Sequence, residues 1–343
     1  MLVTFIDDSI PFDGQSADVM PLGGPEKSLI ALAVALARRG HTVRVFNRCE
    51  GLLVADGVGW RPIKECDAAH SDWLIAHRNP RLLRHVPNAD RTALWIVGNA
   101  RYLGSPASLS TIKHRKSILI LQSLAQSLTV PQSLQANAAE VVAPAALNCY
   151  RAAHEMAPAE PVRAVVTTHP ANGLDWLLNL WIDKVVNRVP EAELHIFSST
   201  LERGAAGADI SSSLRSVLQR AMAARDQGVK IFRPIPDIKM SEIYRSARVH
   251  LYPGDHRDLI CTTLGDSQST GLPGIARDRG AARERILNGQ SGYLAPDDEA
   301  FANLTVELLD DWETFSQLSR VARTHQRHRD WDRVASDFER ILA

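Results

Sequence analysis

The chain has 343 residues, about twice the usual single-domain size of ~100–150, so two domains are expected. Hydrophobic residues make up 45% and charged residues 23%, which excludes wholesale disorder, collagen-like repeats and a small disulfide scaffold. Lys plus Arg equals Asp plus Glu at 39 each, so no basic excess is available to grip a nucleic-acid backbone, and no nucleic-acid partner is expected.

In chain order, LVTFI (2–6) is a short apolar run ending at Asp7-Asp8 and is predicted as a buried strand. Residues 26–39 place Leu29, Ile30, Ala33, Val34 and Leu36 at helical spacing. That helix ends at Arg38-Arg39-Gly40, where cations face the negative dipole end and glycine permits a left-handed cap. HTVRVFNR (41–48) is the next strand, and this β-loop-α-β unit with near-continuously apolar strands predicts a parallel, doubly wound sheet. Further strands are expected at 73–76, 93–97 and 118–121. The Pro- and Ala-rich stretch at 144–161 separates a second set of strands, at 162–168, 193–197, 229–232, 249–253 and 273–276. Between them lie predicted helices at 173–188, 210–225, 240–247 and 263–270, with terminal helices from about 298. The expected domains are 1–155, 156–325 and a terminal helix, 326–343, that crosses back to the first. Two α/β domains of this kind offer ligands a cleft between the carboxyl edges of their sheets.

The four cysteines, Cys49, Cys66, Cys149 and Cys261, show no ligand spacing, so neither a zinc site nor a disulfide framework is expected, and a reducing, cytoplasmic setting is. MLVTFIDDSIP lacks a basic n-region, and no run approaches ~18 apolar residues, so neither a signal peptide nor a membrane span is expected. Between the first strand and its helix, Gly23-Gly24-Pro25-Glu26 brings backbone amides to a helix start, where a phosphate is a natural guest; a tight turn with Pro25 in the first helical turn fits the same residues. The GxGxxG dinucleotide fingerprint and the GK[ST] of a Walker loop are both absent.

LGGPEKSLIALAVALARRGHTVRVF, ANGLDWLLNLWIDKVVNRVPEAELHIF, IYRSARVHLYP, GLPGIARDRGAARERILNGQSGYLAPDDEAFA and DWDRVASDFERIL occur in this order along nearly the whole chain. Together they resemble the GT-B glycosyltransferases, in particular the family 4 retaining enzymes that use nucleotide sugars. The resemblance implies an α/β fold of two Rossmann-like domains facing across a cleft, with the acceptor on the first domain and the donor on the second. It also implies transfer of a sugar from a nucleoside diphosphate sugar to a hydroxyl of a glycan, lipid or small molecule, with retention and without metal or cofactor. The family's paired glutamates fall on Asp258 and Asp266, fixed by the Gly271-Leu272-Pro273 anchor. By that resemblance Asp258, with Leu259, Ile260 and Cys261, faces the donor sugar and Asp266 the ribose hydroxyls, while Gly23 and Gly24 approach the donor phosphates. Where relatives carry an arginine and a lysine against the leaving diphosphate, this chain has Thr168 and Asn172. His169, Arg233, Arg257 and Arg279 are the candidates to restore that charge, Arg257 first. His77 matches a histidine that relatives place near the reaction centre. Basic side chains at 78–91 and 113–116 suit a solvated face or contact with an anionic membrane. A non-catalytic GT-B partner protein that binds glycan or nucleotide is the alternative motivated by the altered clamp.

Overall fold

The computed structural model describes residues 1–66 and 70–343, which divide into two compact units: 1–145 with 329–343, and 146–328. Residues 146–155 go with the second unit, where the Tyr150 ring lies 5.7 Å from Tyr244. Among the described residues no helix is long and apolar enough to cross a membrane.

The first unit is built on eight strands: β1 (Leu2–Ile6), β2 (Thr42–Asn47), β3 (Leu53–Ala55), β4 (Val58–Pro62), β5 (Ser71–His77), β6 (Ala89–Trp95), β7 (Ile118–Leu121) and β8 (Ala139–Val141). Their spatial order is β3-β4-β2-β1-β5-β6-β7-β8, parallel throughout except that β3 runs against β4. β1 is central, and Val3, Thr4, Phe5 and Ile6 are fully buried, which is why the run is apolar without alternation. The β3–β4 hairpin, absent from the sequence reading, turns at Asp56-Gly57, both at positive φ (50° and 79°) as a two-residue primed turn requires. Helix Gly24–Arg38 buries Leu29, Leu32, Ala33 and Leu36 against this sheet, and the closing helix Trp331–Leu342 adds Trp331, Val334, Phe338 and Leu342 to the same core. Phe338 meets Trp95 edge-on at 5.4 Å, and Arg39 pairs with Glu339 at 2.6 Å.

The second unit holds β9 (Arg163–Val166), β10 (Glu193–Phe197), β11 (Val229–Phe232), β12 (Val249–Tyr252), β13 (Gly274–Arg277) and β14 (Gly292–Ala295), all parallel in the order β11-β10-β9-β12-β13-β14. Its core is centred on Trp181, Phe301 and Phe315. The helix expected at 173–188 is Leu174–Leu180 running into a π-turn at Trp181–Val185.

In both sheets the chain order reverses at one point. β1 has β2 on one side and β5 on the other, and β9 has β10 on one side and β12 on the other. The loops leaving these strands diverge there, opening a crevice at the carboxyl ends where doubly wound folds bind ligands.

Candidate functional site

At the first unit's switch point stand Asp7, one residue beyond β1, and His77, the last residue of β5, both fully buried. The His77 Nδ1–H donates to Asp7 Oδ2 at 2.7 Å, which leaves Nε2 as the second functional nitrogen. That Nε2 is buried and has no hydrogen-bond partner among the described residues, a costly arrangement of about 1–3 kcal/mol unless something else meets it. The Trp95 ring lies 5.1 Å from the imidazole and fixes its plane.

Asp7 is itself held from several sides. Its Oδ1 accepts the Ser9 backbone N–H at 2.8 Å and the Ser9 hydroxyl, and the Arg78 guanidinium lies 3.3 Å from its Oδ2. Burial alone would raise its pKa, but the hydrogen bond and charge of His77, with the Ser9 bonds, outweigh it and bring the carboxyl from 3.8 down to about 2. A depressed carboxyl stabilises the fold fully above its unfolded pKa, and that share is lost as pH falls through the folded value. We therefore expect Asp7→Asn to lose about 2 kcal/mol of stability at neutral pH, with the gap to the parent narrowing between pH 4 and pH 2 in urea titrations.

Arg78 sits at φ +58° and also pairs with Glu26, a buried carboxylate in the first turn of helix Gly24–Arg38. A Cβ on Gly23 would come 2.4 Å from Glu26 Oε2, so the glycine lets that carboxylate lie across the helix start. Gly23 and Gly24 are thus at the helix amino terminus expected of them, and the acid already there is the chain's own Glu26.

At the second unit's switch point, the loops after β9, β12 and β13 meet. His250 on β12 is fully buried, bonded through Nε2 to Thr167 Oγ1 at 3.0 Å and through Nδ1 to Ser267 Oγ at 2.8 Å, and burial pushes its pKa down to about 3. A neutral imidazole therefore fastens the β9 loop to helix Thr262–Thr270. Thr168, next in that loop, has a buried hydroxyl without a partner among the described residues, and His169 is exposed, its Nδ1 accepting the Ala171 N–H at 3.2 Å.

Arg257 reaches Asn172: its Nη2 donates to Asn172 Oδ1 at 3.1 Å and to the Ala171 carbonyl at 3.2 Å. The same guanidinium is forked onto Asp255, whose carboxyl the arginine lowers to about 2 against a smaller opposing effect of burial. Asp258 is turned into its own loop, accepting the Tyr252 hydroxyl and, at 3.0 Å, the Cys261 N–H. This bond accompanies a left-handed Cys261 (φ +50°) that starts helix Thr262–Thr270, while Leu259 and Ile260 pack inward. Asp266, one turn into that helix, is 1% exposed.

Arg277, which the sequence reading passed over, ends β13 with its guanidinium 4.0 Å over Trp176 and donates to the carbonyls of Pro253 and Gly254. Arg279 lies near enough that its charge helps lower the pKa of Arg277, after burial as the main cause. Arg233 and Arg279 are exposed. Among the described residues one cluster has metal-ligand spacing, His70, Asp72 and Asp90, at the opposite, amino-terminal strand ends.

The model of the family described as glycosyl transferases group 1 matches residues 161–311, within the second unit. Similar solved structures include HepE from Anabaena in complex with UDP and glucose, with TM-score 0.72, 14% identity and coverage of 100% of this chain and 99% of that one. Sucrose-phosphate synthase from Thermosynechococcus elongatus has TM-score 0.71 and 13% identity, covering 99% and 97%. WaaG, a glycosyltransferase involved in lipopolysaccharide biosynthesis, has TM-score 0.67 and 13% identity, covering 100% of both chains. No curated protein matches the sequence. The chain thus has the two-domain GT-B fold of these glycosyltransferases, and its residues 161–311 match the glycosyl transferases group 1 model.

Proposed function

We propose that the protein transfers a sugar from a nucleoside diphosphate sugar to a hydroxyl acceptor with retention of configuration. The observation that carries the reading is the His77 Nε2, a fully buried nitrogen oriented by Asp7 at a switch point and unpartnered among the described residues. The unpartnered Thr168 hydroxyl at the other sheet's switch point supports it, as do neighbours solved with UDP, glucose and UDP-glucose. Buried polar groups normally find partners, and two that lack them at ligand-binding crevices call for a polar ligand.

In this reading the bond from the sugar's anomeric carbon to the diphosphate breaks while the acceptor oxygen bonds to that carbon on the same face. The acceptor proton passes to a departing phosphate oxygen, so no protein nucleophile is required. His77 Nε2 meets a substrate hydroxyl. Asp258 acts by shaping the loop of Leu259, Ile260 and Cys261, and Asp266 is the ribose candidate. Negative charge develops on the leaving group and needs fixed positive charge nearby, which Arg257 supplies at Asn172. Arg257→Ala is expected to lower turnover by at least ~10-fold, about 1.4 kcal/mol of transition-state stabilisation, in a steady-state assay of donor consumption.

A second reading, a non-catalytic GT-B binding protein, is favoured by the buried Asp266 and the inward-turned Asp258. Thermal-shift titration with UDP-, GDP-, ADP- and dTDP-sugars, followed by mass spectrometry of the mixtures, separates the two. Stabilisation with donor consumption is the expected result. Stabilisation without consumption supports the binding protein, and neither effect contradicts both.

A further inference from the structure

A cavity of about 390 Å³ lies wholly within the first unit, at the carboxyl edge of β1 and β2. Its size falls in the range of small-molecule sites, roughly 300–1,000 Å³. The loop that begins with Asp7 contributes Phe12, Asp13 and Met20, the loop leaving β2 contributes Glu50 and Leu52, and the start of β3 contributes Leu53. Leu52 is 68% exposed, and Ile10 and Val19 in the connection after β1 and Val54 in β3 are exposed as well. Among the described residues no lysine, arginine or histidine lines the cavity. Its charges are Glu50, which has no partner among the described residues, and Asp13, whose Oδ1 is fixed by the Gln15 N–H at 2.9 Å and the Ser16 hydroxyl at 3.0 Å.

We infer that this cavity is the acceptor subsite and that the acceptor carries an apolar portion and no anionic group. The inference rests on the transferase reading. Two carboxylates with no facing cation repel a phosphate or carboxylate, whereas an alkyl or aryl group would cover Met20, Leu52 and Leu53, which a free sugar leaves wet. The position follows from the chain path, because the loop that closes the cavity starts at the residue that orients His77.

Calorimetry on the full chain tests it with octyl β-glucoside below its micelle concentration, glucose and glucose 6-phosphate. Octyl glucoside is expected to bind at least about tenfold more tightly than glucose, and glucose 6-phosphate more weakly than either. Leu52→Glu, at an exposed position that folding does not depend on, should cost octyl glucoside about tenfold, and Glu50→Lys should bring glucose 6-phosphate up to glucose. Equal binding of the three ligands, indifference to Leu52→Glu, or a dimer in light scattering that Leu52→Glu dissociates would overturn the inference. Titration with UDP-, GDP-, ADP- and dTDP-glucose reports on the transferase reading separately. Donor binding without octyl glucoside binding removes the subsite and leaves the transferase standing; octyl glucoside binding with no donor binding removes the acceptor assignment together with the transferase.

Discussion

His77→Ala is expected to lower the rate of sugar transfer by about 10²–10⁴-fold, the range for loss of a positioned proton-transfer or hydrogen-bonding group. The side chain is fully buried, its Nδ1 is committed to Asp7 and its Nε2 has no partner among the described residues, so what is lost is a contact with substrate. Asp7→Asn removes the group that fixes the imidazole's tautomer while leaving the ring in place, and should therefore lower kcat with a smaller change in donor KM. His77→Gln, which can place an amide near the same point, should recover part of the loss. A rate for His77→Ala within twofold of the parent, in folded protein with an unchanged Tm, would remove the assignment.

Gly280→Ala should abolish donor binding, with affinity falling by at least ~100-fold, about 2.7 kcal/mol. Gly280 has φ +59°, and a Cβ there would lie 2.1 Å from the Asp258 carbonyl oxygen and 2.6 Å from that of Asp255. Backbone oxygens cannot give way as a flexible side-chain end can, so the 255–258 loop must move. The Ala281 N–H that donates to the Asp258 carbonyl at 3.0 Å would go with it. Arg257 and the bond from Cys261 to Asp258 both depend on that loop, so the positive charge at Asn172 and the start of helix Thr262–Thr270 are lost together. The first unit is untouched by the change, so calorimetry with the nucleoside diphosphate that stabilises the parent should show the loss while circular dichroism shows a folded protein. Parent-like affinity would place the donor elsewhere.

Much of the fold was legible because both sheets are parallel apart from the β3–β4 pair, so β1, β7 and β9 read as near-continuous apolar runs bounded by polar loops. The β3–β4 hairpin carries a plain signal, Asp56-Gly57 between apolar residues, which a search for parallel units passes over. β8 was missed because all three of its residues are exposed at a sheet edge, leaving no burial pattern to read.

The site was legible only in part. His77 could be marked as a histidine at a strand end, but its partner Asp7 lies 70 residues away and is brought to it by strand order alone. Asp258 was expected to face a sugar. As an aspartate it is short enough to accept the amide three residues on, and it does so, as such residues do in turns. Arg257 stood out only through a family pattern that lacks its usual cations. Its contact with Asn172 depends on the β9 and β12 loops lying side by side. Arg277 had no such pattern to mark it, and its place over Trp176 is wholly tertiary.

Proton NMR of a reaction in progress tests the central claim most directly, with α-linked UDP-, GDP-, ADP- and dTDP-glucose each offered together with octyl β-glucoside. One donor should be consumed at the rate at which free nucleoside diphosphate appears, and a new anomeric doublet with the small coupling of an α-linkage should grow in step. No consumption of any donor, or a product with the large coupling of a β-linkage, would contradict the account.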